Sequence, residues 1–173
     1  SIDERSFRRI LARNVALPIG VGVLGATLFI ALIGYLLYVL SWVEHTDIVM
    51  GKANEGFRYT LDRESSLRGF LIAGEDAFLD PFEDAGPRLD SRMAELTELV
   101  KDNPIQVEKI RRIESMQEQW ARFANQMIEQ RRAGQDITAA VREKRGKQLV
   151  DGIRQTFAEF IAAEQQLRHD RNE

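Results

Sequence analysis

The sequence predicts an all-α protein: a single transmembrane helix continuous with an extracytoplasmic antiparallel four-helix bundle. Three observations predict it. An uncharged apolar block stands near the N-terminus, the apolar residues after it recur at helical spacing, and alternating Val/Ile/Thr runs and Asn-Gly hairpin turns are missing. Of the 173 residues, 24 are basic and 27 acidic, yet none of these lies between Arg13 and Glu44. Charged residues make up about 36% of the remainder, well above the ~25% of an average globular domain. This division excludes a simple soluble protein and a collagen-like or mucin-like chain. The net charge of −3 argues against nucleic-acid binding, which shows a basic face or stripe. With no Cys there is no disulfide framework, thiolate metal site or Cys nucleophile.

Residues 15–43 read VALPIGVGVLGATLFIALIGYLLYVLSWV. At ~1.5 Å per residue they reach ~43 Å, enough to cross a ~30 Å hydrocarbon layer. Gly20, Gly22, Gly25 and Gly34 are poor for a helix in water but common in membrane helices. Tyr35, Tyr38 and Trp42 gather at one end as an interfacial belt, and Arg13 marks the other. Arg5, Arg8, Arg9 and Arg13 precede the block, while Glu44, His45 and Asp47 follow it. The positive-inside rule therefore places residues 1–14 in the cytoplasm, 15–43 in the lipid bilayer and 44–173 outside. A cleaved signal peptide would have ~7–15 apolar residues and end at a small-residue cleavage site, and neither fits. Gly22 and Ala26 have the small-xxx-small spacing that supports helix pairing, so a homodimer or a membrane-protein partner is expected.

Beyond Val43, four helices are expected in turn. Met50, Ala53, Phe57, Leu61, Leu67 and Leu71 step by threes and fours, with no turn signal separating them from the span and Gly74 as the stop. The second helix carries Phe78, Leu79, Phe82, Leu89, Met93, Leu96, Leu99 and Val100. Asp80-Pro81 reads as its cap and first position, and Gly86-Pro87 should kink or break it. Asn103-Pro104 caps the third helix, which carries Val107, Ile110, Ile113, Trp120, Phe123, Met127 and Ile128 and ends at Gly134. Asp136 caps the fourth, with Val141, Leu149, Ile153, Phe157, Phe160 and Leu167. Short loops make neighbours antiparallel, so both ends of the bundle return to one face.

Charges on an apolar stripe are the anomaly. Glu64 lies between Leu61 and Leu67, and Glu164 between Phe160 and Leu167. Both begin Glu-x-x-Leu-Arg, giving Glu64–Arg68 and Glu164–Arg168 in the favourable i, i+4 order. On a helix surface such a pair is worth ~0.3–0.5 kcal/mol. Facing the bundle interior, the two pairs become separate polar points in the core, where an unpaired charge is costly.

His45-Thr46 with Val49, Asp62-Arg63-Glu64-Ser65-Ser66-Leu67-Arg68-Gly69-Phe70-Leu71 through Gly74, and Phe78-Leu79-Asp80-Pro81-Phe82 together resemble the third class of CHASE domains. Lys101 to Gln106 and Gly146 to Arg168 resemble the same pattern, so the likeness spans roughly residues 42–171. The resemblance implies an extracellular sensory module of a bacterial receptor in the inner membrane, of the histidine kinase, chemoreceptor or cyclase type. In such receptors the module stands between two membrane spans with an output domain in the cytoplasm. It implies no enzyme activity for this segment, with a histidine kinase or similar output, as in two-component systems, elsewhere in the full-length chain. The expected function is a signal-relay module passing helix displacement across the membrane. The sequence holds neither a second span nor an output domain, so the alternative is a single-span membrane-anchored interaction or assembly subunit that binds a partner protein.

No other motif carries chemistry. His169-Asp170 resembles a phosphoacceptor pair but falls outside the cell, away from ATP, and neither His has a second ligand at metal-binding spacing. Gly20 to Gly25 lies inside the span and follows no strand, which excludes a phosphate loop. Catalytic residues, cofactor sites and metal sites are therefore expected to be none, and the small-molecule ligand is unspecified. Trp120 and Phe123 read as core, and Arg142, Lys144, Arg145 and Lys147 as a solvated helix face.

Overall fold

The computed structural model describes residues 12–170, and the side chains of all of these except residues 12, 13, 42, 43 and 170. Arg5, Arg8 and Arg9, and the side chains of the interface residues Arg13 and Trp42, lie outside the described part. A π-helical turn, Ala12–Ala16, leads into α1, Leu17–Ala73. A 3-10 turn, Asp76–Leu79, precedes α2, Asp80–Leu99. Then come α3, Pro104–Arg132, a short α4, Thr138–Arg142, and α5, Arg145–Asp170. The chain forms two compact units, Ser1–Glu44 and His45–Glu173.

In the first unit the apolar side chains have no core to face. Ile30 is 70% exposed, and Leu17, Leu24, Phe29, Leu37 and Tyr38 are each above half. Such a helix is apolar all round rather than striped, the pattern of a segment whose surroundings are themselves apolar. Among the described residues, α1 is the helix long and apolar enough to cross a membrane.

The second unit is an up-down-up-down bundle, and its cross-helix pairs establish the register. Lys52 meets Glu95, and Glu55 meets Arg92 at 2.9 Å, so α2 descends beside α1. Asp47 meets Arg168 at 3.1 Å, and the Phe57 and Phe157 ring centroids lie 5.8 Å apart, so α5 also runs antiparallel to α1. Thr60 to Gln117 and Leu71 to Arg131 advance together, which makes α1 and α3 the parallel diagonal pair.

Each helix turns a heptad seam inward. In α3 it is Gln106, Ile110, Ile113, Gln117, Trp120, Ala124 and Met127, and in α5 Val150, Ile153, Phe157, Phe160 and Glu164, all buried. In α1 the seam runs Thr46, Val49, Ala53, Gly56, Thr60, Arg63, Leu67 and Phe70, of which all but the half-buried Arg63 are buried. This seam is rotated from the expected stripe, leaving Met50, Phe57, Leu61 and Leu71 half-buried on its flank. Small and polar seam residues hid the true phase from a reading based on large apolar side chains.

Most helix ends follow the chemistry of their residues. Gly74 takes a left-handed φ of 75° and its amide donates to the Phe70 carbonyl at 2.7 Å. The Arg131 Nε donates to the Leu71 carbonyl at 3.1 Å, satisfying another end group of α1. Asn103 caps α3 by accepting from the Gln106 amide at 3.3 Å, and Gly134 ends that segment with a φ of 70°. Asp136 accepts from the Thr138 amide at 2.8 Å.

Three expectations need correction. Helix α2 runs through Gly86-Pro87 without a break, because Ala85 and Leu89 on either side are seated in the core and packing outweighs one lost amide. Asp80 is the first residue of α2 rather than its cap, since the 3-10 turn feeds straight into the helix from Leu79. The fourth helix is in two pieces, divided at Lys144, whose φ is 58°. Immediately after that break, a Cβ on Gly146 would stand 2.4 Å from Phe123 Cε1. Only glycine lets α5 begin so close to the Phe123 ring.

Candidate functional site

The four expected pair residues do not form two core salt bridges. Glu64 and Arg68 do pair, at 3.5 Å, but the Arg68 side chain is 65% exposed and that of Glu64 29%. The seam passes through Arg63 and Leu67, which turns Glu64 and Arg68 to its edge. Glu164 is buried, but its partner is not Arg168. Its carboxylate accepts from the Gln106 Nε2 at 2.6 Å, and the same amide donates to the Phe160 carbonyl at 3.1 Å. The Gln106 oxygen accepts from Lys109 at 3.2 Å. Arg168 instead reaches Asp47 on α1. Glu164 occupies the seam facing α3, whereas Arg168, four residues further on, lies beside α1.

The cation on the α1 seam is the half-buried Arg63. Its guanidinium lies 4.5 Å from the Phe82 ring centroid and 5.4 Å from that of Trp120, two π faces that partly replace water. Burial pushes it below the ordinary arginine value, and the Asp90 carboxylate works in the opposite direction. Its Nε is buried without a hydrogen-bond partner. A hollow of about 490 Å³ beside it is lined by Asp90, Glu114 and Gln117. Burial raises the Glu114 carboxyl, and Glu118 adds to that while Arg111 opposes it. Extending the heptad from Thr46 through Gly56 and Thr60 was the sequence signal that could have found Arg63.

The run around Arg63 also builds the bend between α1 and α2. Ser66 donates to the Phe78 carbonyl, and a Cβ on Gly69 would stand 2.7 Å from Phe78 Cδ1. The bend is held from α3 as well, where Arg132 donates from Nε and Nη2 to Asp76 at 3.1 and 3.0 Å.

A larger groove, of about 790 Å³, opens between α1, α3, α4 and α5. Its floor includes the buried Leu67, Trp120 and Val150. The break at Lys144 carries α4 off the helix line and leaves Ile137, Ala140 and Val141 as one wall. Arg68, Lys144, Lys147 and Arg154 supply cationic groups and Glu64 and Asp151 acidic ones. Trp120 is therefore both core and groove floor, and Lys144 and Lys147 line the groove rather than an unbroken solvated helix face.

This four-helix architecture and its motif residues coincide with a known domain type. Residues 40–173 match the CHASE3 domain, and the chain belongs to that family. It is a sensory module of the kind found in signal-transducing receptors. Among solved structures, it is similar to the Rhodopseudomonas palustris histidine kinase HK9 sensor domain, with a TM-score of 0.63 and 22% identity. The match covers 70% of this chain and 96% of that one, a likeness of fold. No curated protein matches the chain.

Proposed function

We propose that the chain is the extracytoplasmic sensory and relay part of a bacterial inner-membrane receptor, anchored by residues 15–43 with residues 1–14 in the cytoplasm. The observation that carries this reading is the unbroken α1, Leu17–Ala73, which joins the apolar segment and the first bundle helix in one element of a CHASE3 chain. A stimulus would alter the offset of α1 against α5 in the bundle, and helices can pass such shifts along their length. Asp47–Arg168 and the Phe57–Phe157 contact lie on the sliding surface. The chain's own role is mechanical, and catalysis belongs to the output domain of the receptor. A homodimer paired through Gly22 and Ala26 completes the reading.

The absence of Cys gives a clean test of orientation. A membrane-impermeant maleimide should label Gln135→Cys in intact cells and leave Ser1→Cys unlabelled; the reverse pattern removes the proposed topology. Relay is tested with the chain fused through a second span to a cytoplasmic kinase reporter. Alanines inserted one at a time after Glu44 should make output oscillate with a period of about 3.6 residues. A flat response would support the anchored assembly subunit instead.

A further inference from the structure

We infer that the groove between α1, α3, α4 and α5 is a binding site for a small-molecule monocarboxylate with an apolar aromatic or acyl body. It supplies the stimulus for the sensory reading and rests on that reading for its purpose. The groove's volume of about 790 Å³ falls within the ~300–1,000 Å³ of sites that hold drug-sized ligands. Its floor is apolar and rigid: Leu67, Trp120 and Val150 are each at most 5% exposed, fixed in the bundle seams. Such a floor takes an apolar body, and Trp120 within it is placed to report on whatever fills the groove.

The charges select the other end of the ligand. Four cationic and two acidic side chains line the groove. Both acids are already matched, Glu64 by Arg68 and Asp151 by Lys147. That leaves Lys144 and Arg154, for which no acidic partner occurs among the described residues. The Arg154 guanidinium is held over the Phe57 ring at 5.7 Å, which orients its planar donor edge. Lys144 stands at the helix break, the position whose left-handed backbone carries α4 away and opens the groove. The feature that makes room for a ligand thus also places a cation at its wall. Either of these groups meets a carboxylate through charge-assisted hydrogen bonds, while neither attracts a cation.

The full chain in lipid nanodiscs, carrying Trp42→Phe so that Trp120 is the sole indole, provides the test. The probes are 3-phenylpropanoate, cyclohexylacetate and decanoate, each with its primary amide. At least one carboxylate should change Trp120 fluorescence saturably, and its amide should bind about tenfold or more weakly. Lys144→Gln with Arg154→Gln, with circular dichroism unchanged, should abolish the preference for the carboxylate. Equal binding of acid and amide, a preference that survives the double substitution, or no saturable signal from any carboxylate overturns the inference. So does self-association of the chain that Ile72→Asp and Val141→Asp abolish, because a second copy would then fill the groove. The fluorescence reports binding alone, so its failure leaves the insertion-phase test of relay untouched, and a flat insertion response leaves binding untouched.

Discussion

Among the described residues, two seam positions of the bundle carry charge, and they are accommodated by opposite means. Glu164, at the end where α3 begins and α5 finishes, is satisfied by a directed amide donor from Gln106 at 2.6 Å. Arg63, near the other end, rests against the rings of Phe82 and Trp120 and retains a buried N–H with no partner. A carboxylate has concentrated lone pairs and requires donors, whereas a guanidinium is broad, weakly hydrated and at home against aromatic rings. The Glu164 layer is therefore geometrically strict. The Arg63 layer is permissive, with a hollow alongside and two acids, Asp90 and Glu114, within its lining.

The contrast is broken most severely at the strict end. Gln106→Leu strips Glu164 of its amide donor and should cost about 2–4 kcal/mol in denaturant unfolding. Adding Glu164→Leu should recover most of the loss, because the buried carboxylate goes with its missing partner. If the double variant stays as unstable as the single one, shape rather than charge governs that layer. At the permissive end, Arg63→Ala should cost about 2 kcal/mol through lost stem packing and π contact. Arg63→Met retains the stem and removes the orphan donor, so its stability should lie within about 1 kcal/mol of the parent. A larger loss would mean that the guanidinium is bound as strictly as Glu164.

Smaller effects come from the surface. The hydrogen bond from Lys52, with Arg92 assisting, holds the Glu95 carboxyl below its ordinary value. A lowered folded value means stability that is present above the unfolded carboxylate range and lost as pH falls through the folded one. Glu95→Gln should therefore lower Tm at neutral pH, and the gap from the parent should close on acidification. A gap independent of pH would point to packing instead of charge. Arg68→Ala should be the mildest, under about 0.5 kcal/mol, since its pair with Glu64 is wide and open to water.

Much of this fold was legible in the sequence because helix periodicity and end signals act locally. Asn103-Pro104, Gly74 and Gly134 mark their helix ends through backbone chemistry that needs no tertiary partner. The phase of α1 was not legible from large apolar residues, since Thr46, Gly56, Thr60 and Arg63 occupy seam positions where the partner helices supply the bulk. The split at Lys144 was equally hidden: beside it Gly146 packs against Phe123, more than twenty residues away in sequence. Glu164 was correctly singled out as a polar point, but its partner sits on another helix. An i, i+4 rule sees only neighbours on the same helix.

The contact of Gly56 with Phe157 has a mechanical consequence. A Cβ at Gly56 would lie 3.4 Å from Phe157 Cζ, so the ring occupies a shallow notch in α1. The seam positions on either side are Ala53 and Thr60, both small, while Val49 and Arg63 stand beyond them. Such a surface behaves like a detent on a sliding rod. The ring has short travel over low ground in either direction and then meets a bulky stop. In the proposed relay, shifts of α1 against α5 would be confined to a narrow stroke, with the rest position restored by reseating one ring.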